Sequence, residues 1–298
     1  MRKESEIDRA LRLKEKAELR QKNIGDYFLN FSRHLREWLH ILSQDYKERK
    51  DFGIHPFILA DYYQKPEDKE VALFASLLVS ENDNIRKQVD HLRRLISDAP
   101  YQWLSNREFV RLSMGSNQNK RIDGSAVYFW QLSSLFNQIY NVRQHFGDME
   151  TAVLQTMNIQ NCNAFAALTY YLSGLEGIGS YWWKLNLLLL RLFRKDGLGL
   201  GMWGYGNEYL ICPWNRDVTE FMQMWFPDFK RYGTPEGNCL KLFGFEDEVD
   251  FFYAYLGYKD LQKRKPEECS RLATTYANWY ENGTIVKPYK WKSLLPEI

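Results

Sequence analysis

Apolar residues recur at helical intervals along most of the chain, and strict two-residue alternation is nearly absent. Phe28, Phe31, Leu35, Trp38, Leu39 and Leu42 mark an amphipathic helix over residues 27–42 that packs on the body of the protein. Asn, Gly, Asp and Pro signals divide the remainder of the chain into helices expected at about 67–80, 82–97, 106–113, 125–146, 149–157 and 161–173, and later at 247–258 and 266–281. The run YWWKLNLLLLRLF, Tyr181 to Phe193, is apolar on almost every side. It predicts a buried helix with Lys184, Asn186 and Arg191 as polar exceptions. Residues 1–24 alternate charges, and Leu11, Leu13 and Leu19 are too sparse for a packed face, so a solvated or partner-docking helix is expected there. The pattern as a whole predicts an all-α chain. It has an N-terminal helical extension, 1–50, ahead of one helical domain, 51–298.

The punctuation between helices carries the candidate chemistry. In Leu175-Glu176-Gly177-Ile178-Gly179-Ser180 two glycines permit a tight hairpin whose exposed amides could hold a phosphate. The segment Lys195-Asp196-Gly197-Leu198-Gly199-Leu200-Gly201 must leave the helix before it. Pro213 then precedes a second helix starting near Asn215 or Asp217, both good N-caps. Ser113 to Gly124 reads as a polar loop, either a connector, which is favoured, or a contact for backbone phosphate.

Composition narrows the functional classes. With 298 residues, 45% hydrophobic and 16% aromatic, the chain can bury a large core and form one domain or two lobes around a cleft. The formal net charge of +2 is too small to argue nucleic-acid binding from overall basicity, so any DNA-facing patch must be local. Cys162, Cys212, Cys239 and Cys269 are too far apart for a zinc knuckle or a four-cysteine cluster and read as reduced thiols, which favours the cytoplasm. His34, His40, His55, His91 and His145 form no metal-ligand spacing, so neither a metal nor another cofactor is expected. No apolar run could span a bilayer, and MRKESEIDRALRLKEK has no signal-peptide core. Membrane association and export are therefore not expected.

In their order and spacing, LEGIGS and PWNRDV resemble the helix-hairpin-helix DNA glycosylase superfamily, in which a glycine hairpin is followed by a helix and a motif with the catalytic aspartate. The longer separation between them resembles the archaeal 8-oxoguanine glycosylase branch and a related bacterial family. Lys184-Leu185-Asn186, Gly201-Met202-Trp203 and Pro213 to Val218 stand for its three internal segments, His55 to Val79 for its opening helices, and Val249-Asp250-Phe251 with Leu256-Gly257 for its closing base-pocket helix. The likeness covers about two thirds of the chain. Two positions depart from the pattern: the family aspartate is Asn215 here, with Asp217 where that family has histidine, and Tyr181 follows the second glycine where lyases carry lysine.

The resemblance implies an enzyme with two helical lobes around a cleft that binds double-stranded DNA, everts a modified base and cuts its N-glycosidic bond; the sequence leaves the oligomeric state open, and a monomer is the expectation. Asp217 is the expected catalytic carboxylate, with helix capping as its plain structural role. Asn215 would position water or sugar. Lys184 is the candidate imine-forming amine, or else it contacts a phosphate or pairs with an acid. Asp250 is expected to read the base edge, with Trp182, Trp183, Trp214 and Tyr253 lining the base pocket and Trp203 and Tyr255 nearby in sequence. Gly177, Gly179, Ser180 and Tyr181 are the expected phosphate contacts. A bulky phage base, such as glucosylated hydroxymethylcytosine removed in antiviral defence, is the leading substrate. The alternatives are 8-oxoguanine repair with lyase activity, a non-catalytic DNA-binding module and a hydrolase of modified nucleosides.

Overall fold

The computed structural model describes residues 39–48, 55–80, 84–175, 182–204, 210, 212–225 and 248–261. They are mostly helical, and no strand occurs among them; Arg121 and Tyr128 form one isolated bridge. The α-helices are α1 (residues 39–47), α2 (Pro66–Ser76), α3 (Ile85–Ile96), α4 (Pro100–Ser105), α5 (Phe129–Phe146), α6 (Met149–Gln160), α7 (Ala164–Leu172), α8 (Trp182–Phe193), α9 (Arg216–Trp225) and α10 (Glu248–Leu261). Short 3-10 helices occupy Pro56–Tyr62, Glu108–Ser113 and Gly115–Asn119. Expected features at 1–38, the boundary near residue 50, the glycine hairpin at 176–181 and the helix at 266–281 lie outside the described residues. None of the described helices is long and apolar enough to cross a membrane.

Local chemistry sets most boundaries. Pro66 and Pro100 open α2 and α4, where their fixed φ suits a first helical position. The side chains of Asp148 and Asn163 accept from Thr151 N (2.6 Å) and Ala166 N (2.8 Å), capping α6 and α7. α6 ends at Asn161, whose left-handed backbone (φ 47°) is one that Asn tolerates. The expected helix at 106–113 is instead a 3-10 turn, because Arg107 at φ 57° breaks the α path after α4. The expected loop after it contains a further 3-10 turn. α5 starts at Phe129 rather than 125, since Arg121 and Tyr128 pair in extended conformation just before it.

The described residues divide into two compact units. Residues 39–45, 216–225 and 253–261 belong to the smaller, and the remainder, including 248–252, to the larger. In the larger, α2 packs on the Pro56–Tyr62 turn and on α4, α5 on the Glu108–Ser113 turn and α6, and α7 on α6 and α8. Trp103 meets Phe136 and Phe109 edge-on, with ring centres 5.1 and 6.0 Å apart. In the smaller, α1 and α10 approach closely at Gly257, where a Cβ would stand 2.6 Å from the Leu42 carbonyl oxygen. Only glycine fits that crossing.

Two buried polar clusters tie the larger unit together. Glu70 on α2 accepts from Arg143 Nη1 on α5 (3.0 Å) and from Trp203 Nε1 (3.2 Å), while the Arg143 guanidinium lies 4.9 Å from the Tyr101 ring centre. Burial pushes the Glu70 carboxyl above the usual carboxylate range, and Arg143 and Trp203 act against that rise. Arg191, 2% exposed, donates to the Leu198 carbonyl (2.6 Å) and to Asp61 Oδ1 (2.5 Å), fixing the segment after α8 to the Pro56–Tyr62 turn. Gly199 crosses that segment so tightly that a Cβ would run into the Arg194 carbonyl oxygen.

His55 Nε2 stands 3.8 Å from the Asp61 carboxylate in this second cluster. Burial, reinforced by the Arg191 charge, pushes its imidazole down to about 3. The folded chain therefore refuses a proton that the unfolded chain accepts near pH 6.5. Stability is fully present above that value and falls at up to about 1.4 kcal/mol per pH unit between roughly pH 6.5 and 3. Denaturant unfolding at pH 7.5 and 5.5 is expected to show this loss in the native chain, and His55→Gln should remove about 1.4 kcal/mol of the difference. Equal pH dependence in both would refute the buried neutral imidazole.

Candidate functional site

In the smaller unit, α9 begins at Arg216, so Asn215 stands just before it and Asp217 lies within the first turn rather than at the cap. A carboxylate there meets the positive end of the helix dipole. Asp217 Oδ2 accepts from Lys259 Nζ (2.9 Å) and from the Tyr255 hydroxyl (3.2 Å), and Lys259 also donates to Tyr255 Oη (3.1 Å). Tyr255 and Lys259 are four residues apart on α10, which puts both on one face. The Asp217 and Lys259 side chains remain half exposed, at 48% and 46%. Beneath them Phe221 packs on Tyr255 and Tyr258, with ring centres 5.8 and 5.0 Å away.

The electrostatics of this triad are one-directional. The Lys259 hydrogen bond holds the Asp217 carboxyl below the usual range, against a smaller opposing effect of burial. Burial pushes the Tyr255 phenol up to about 12. Burial alone would lower Lys259, but Asp217 and Tyr255 reverse this and raise it above an ordinary lysine. At neutral pH the triad is carboxylate, neutral phenol and ammonium. Such a carboxylate can face a developing cation, whereas Lys259, firmly protonated, is a counter-ion and a poor nucleophile.

The larger unit holds the other candidates. On α8 Lys184 is 3% exposed, and its ammonium donates to the carbonyls of Val79 (2.5 Å) and Leu77 (3.2 Å) just past the end of α2, with the Trp183 ring centre 5.9 Å away. The sequence leaves imine formation, a phosphate or an acidic partner open for Lys184. The structure gives this amine two carbonyl acceptors that follow a helix. Lys184→Met is accordingly expected to cost about 1–3 kcal/mol by stranding those carbonyls, read as a lower midpoint of denaturant unfolding, and an unchanged midpoint would refute the contact.

Asp250, expected to read a base, is tied into a charge quartet. Its Oδ1 lies 2.5 Å from Lys47 Nζ and 3.6 Å from Arg194 Nη2. Arg194 grips Asp196 with both Nε (2.8 Å) and Nη2 (2.6 Å), and Lys47 Nζ is 3.6 Å from the same carboxylate. Burial opposes ionisation of Asp196, but Arg194 and Lys47 outweigh it and hold the group low. Trp214 stacks on Phe251 at 5.9 Å with the planes 16° apart.

Of the remaining expected pocket residues, Trp183 is partly exposed, and Tyr253 in the smaller unit is fully buried. Trp203 is a buried donor to Glu70. Gly177, Gly179, Ser180 and Tyr181, with the side chain of Trp182, lie outside the described residues. Sequence reasoning misses Lys259, Lys47 and Arg194. The i, i+4 spacing of Tyr255 and Lys259 is a usable sign for the first. Compared with known protein families, with curated proteins and with solved structures, the chain shows no match to any.

Proposed function

We propose that the chain is a DNA N-glycosylase of the helix-hairpin-helix type that removes a modified base from duplex DNA and leaves an abasic site. The observation that carries this reading is Asp217: a half-exposed carboxylate in the first turn of α9, kept ionised by Lys259 and Tyr255. As the C1′–N bond breaks, electrons leave with the base and the sugar becomes an oxocarbenium. The fixed carboxylate offsets that charge without reorganising. Water then bonds to C1′ and gives up a proton, and the departing base gains one.

Lys184 takes no part in this scheme, so the product is an abasic site without a strand break. The leading substrate is a hypermodified cytosine of the glucosylated hydroxymethyl type, in phage defence, with 8-oxoguanine as the alternative. Asn215, standing where the resembling family carries its aspartate, favours one rival, a DNA-binding module without catalysis. Abasic-site release from duplexes containing glucosylated hydroxymethylcytosine, 8-oxoguanine or only ordinary bases separates these readings. Release from one modified duplex supports the glycosylase, and binding without release from any supports the module.

A further inference from the structure

The glycosylase scheme leaves a basic face of the larger unit unused. α3 carries Arg86, Lys87, Arg93 and Arg94 on its exposed side, while Gln88, Val89, Leu92 and Ile96 are buried. The segment 120–128 docks on this helix. Asp123 N–H donates to His91 Nδ1 (2.8 Å), the Asp123 carboxylate lies 3.8 Å from Arg94 Nη2, and a Cβ on Gly124 would come 2.9 Å from that of Asn84. These contacts set exposed Lys120 and Arg121 beside the helix.

The cations are poorly compensated from within. Arg86, Lys87 and Lys120 make no ion pair among the described residues. Within the described residues 84–98 and 120–128, the cations Arg86, Lys87, Arg93, Arg94, Lys120 and Arg121 stand against the carboxylates Asp90, Asp98 and Asp123. Two guanidiniums are also held in place: Arg93 lies 4.9 Å from the Tyr62 ring centre, and Arg121 lies 4.5 Å from that of Tyr128, whose hydroxyl it also bonds. A guanidinium stacked on a ring keeps its edge donors for an anion and has less rotamer freedom to lose on binding.

We propose that this face binds the phosphate backbone of duplex DNA. The twelve residues of α3 extend about 18 Å, and a duplex offers about one phosphate charge per 1.7 Å of axis along that length. The choice of polyanion rests on the glycosylase reading. Duplex binding is nonetheless measured independently of catalysis.

Binding of an unmodified, fluorescently labelled DNA duplex is measured by anisotropy between about 50 and 200 mM salt. Three chains are compared: the native protein, the triple variant Arg86→Gln, Lys87→Gln, Lys120→Gln, and the pair Arg93→Gln, Arg121→Gln. The triple variant removes no ion pair, so its circular dichroism and melting should match the native chain. It is expected to bind at least about tenfold more weakly, with the slope of log affinity against log salt reduced by about 2–3. The paired variant should weaken binding in the same direction. Affinity and slope unchanged in both variants would overturn the proposal, as would no duplex binding by the native chain at the lowest salt. Single-stranded RNA bound more tightly than the duplex, and lost on the same substitutions, would overturn it too. Salt-sensitive binding lost in the variants, without base release by the native chain, would leave this face standing and remove the glycosylase reading. Base release with unaltered binding in the variants would do the reverse.

Discussion

Asp217→Asn is expected to lower the rate of base release by about 10²–10⁴-fold while the protein melts almost as before. The contrast between those two readouts distinguishes a catalytic carboxylate from a structural one. The substitution keeps the size and polarity of the side chain but removes the negative charge that would face the oxocarbenium. The lost interaction is made in the transition state, so kcat should fall with little change in KM. Structurally the loss is small, because Asp217 and Lys259 are both about half exposed and such pairs contribute about 0–1 kcal/mol. Single-turnover abasic-site release and thermal melting on one preparation check both halves. Lys259→Met should give a smaller kinetic loss, since it leaves the carboxylate in place without its counter-ion. Native rates in Asp217→Asn would show that the carboxylate serves α9 and α10 alone, and a larger defect in Asn215→Ala would move the catalytic assignment to Asn215.

The largest effect on stability is expected at Glu70. Glu70→Ala leaves the Arg143 guanidinium, itself only 14% exposed, without its carboxylate and the Trp203 indole N–H without an acceptor. Breaking a buried charge pair from one side costs about 3–5 kcal/mol, which for a chain of this size lowers the melting temperature by roughly 5–8 °C. Glu70→Gln keeps an acceptor for one of the two donors and should lose less. A double-mutant cycle with Arg143→Ala would give a coupling of about 1–3 kcal/mol if the pair acts as a unit. A loss under about 1 kcal/mol in Glu70→Ala would refute the buried network. Because the cluster lies on α2, α5 and the segment after α8, DNA binding serves as a check on local damage.

The sequence locates α3 by its apolar face, α6 by the Asp148 cap and Asn161 stop at its ends, and α10 by its apolar run from Val249, each to within a few residues. The end of α2 departs from the sequence pattern for a tertiary reason. Leu77, Leu78 and Val79 continue its apolar run, but the helix stops at Ser76, and carbonyls in the residues after it accept from Lys184. No local pattern encodes a partner on α8. Likewise the acidic Asp250 in an aromatic helix announces its need for a partner, but Lys47 and Arg194 come from distant parts of the chain. Asp217 is legible from PWNRDV. Its environment is not, since only folding brings α9 against the face of α10 that carries Tyr255 and Lys259.

The close crossing of Leu42 and Gly257 bears on the order in which the chain can fold as it is made. Most of the larger unit is drawn from one continuous stretch, so its helices can begin packing before α10 has emerged from the ribosome. The smaller unit joins α1, α9 and the latter part of α10, and Leu42 waits for a glycine made long after it. Until then the face of α1 that meets Gly257 is uncovered, and a chain cut short before that residue never covers it. Synthesis as far as α10 thus becomes a condition for assembling the Asp217 triad, which draws two of its three members from that helix.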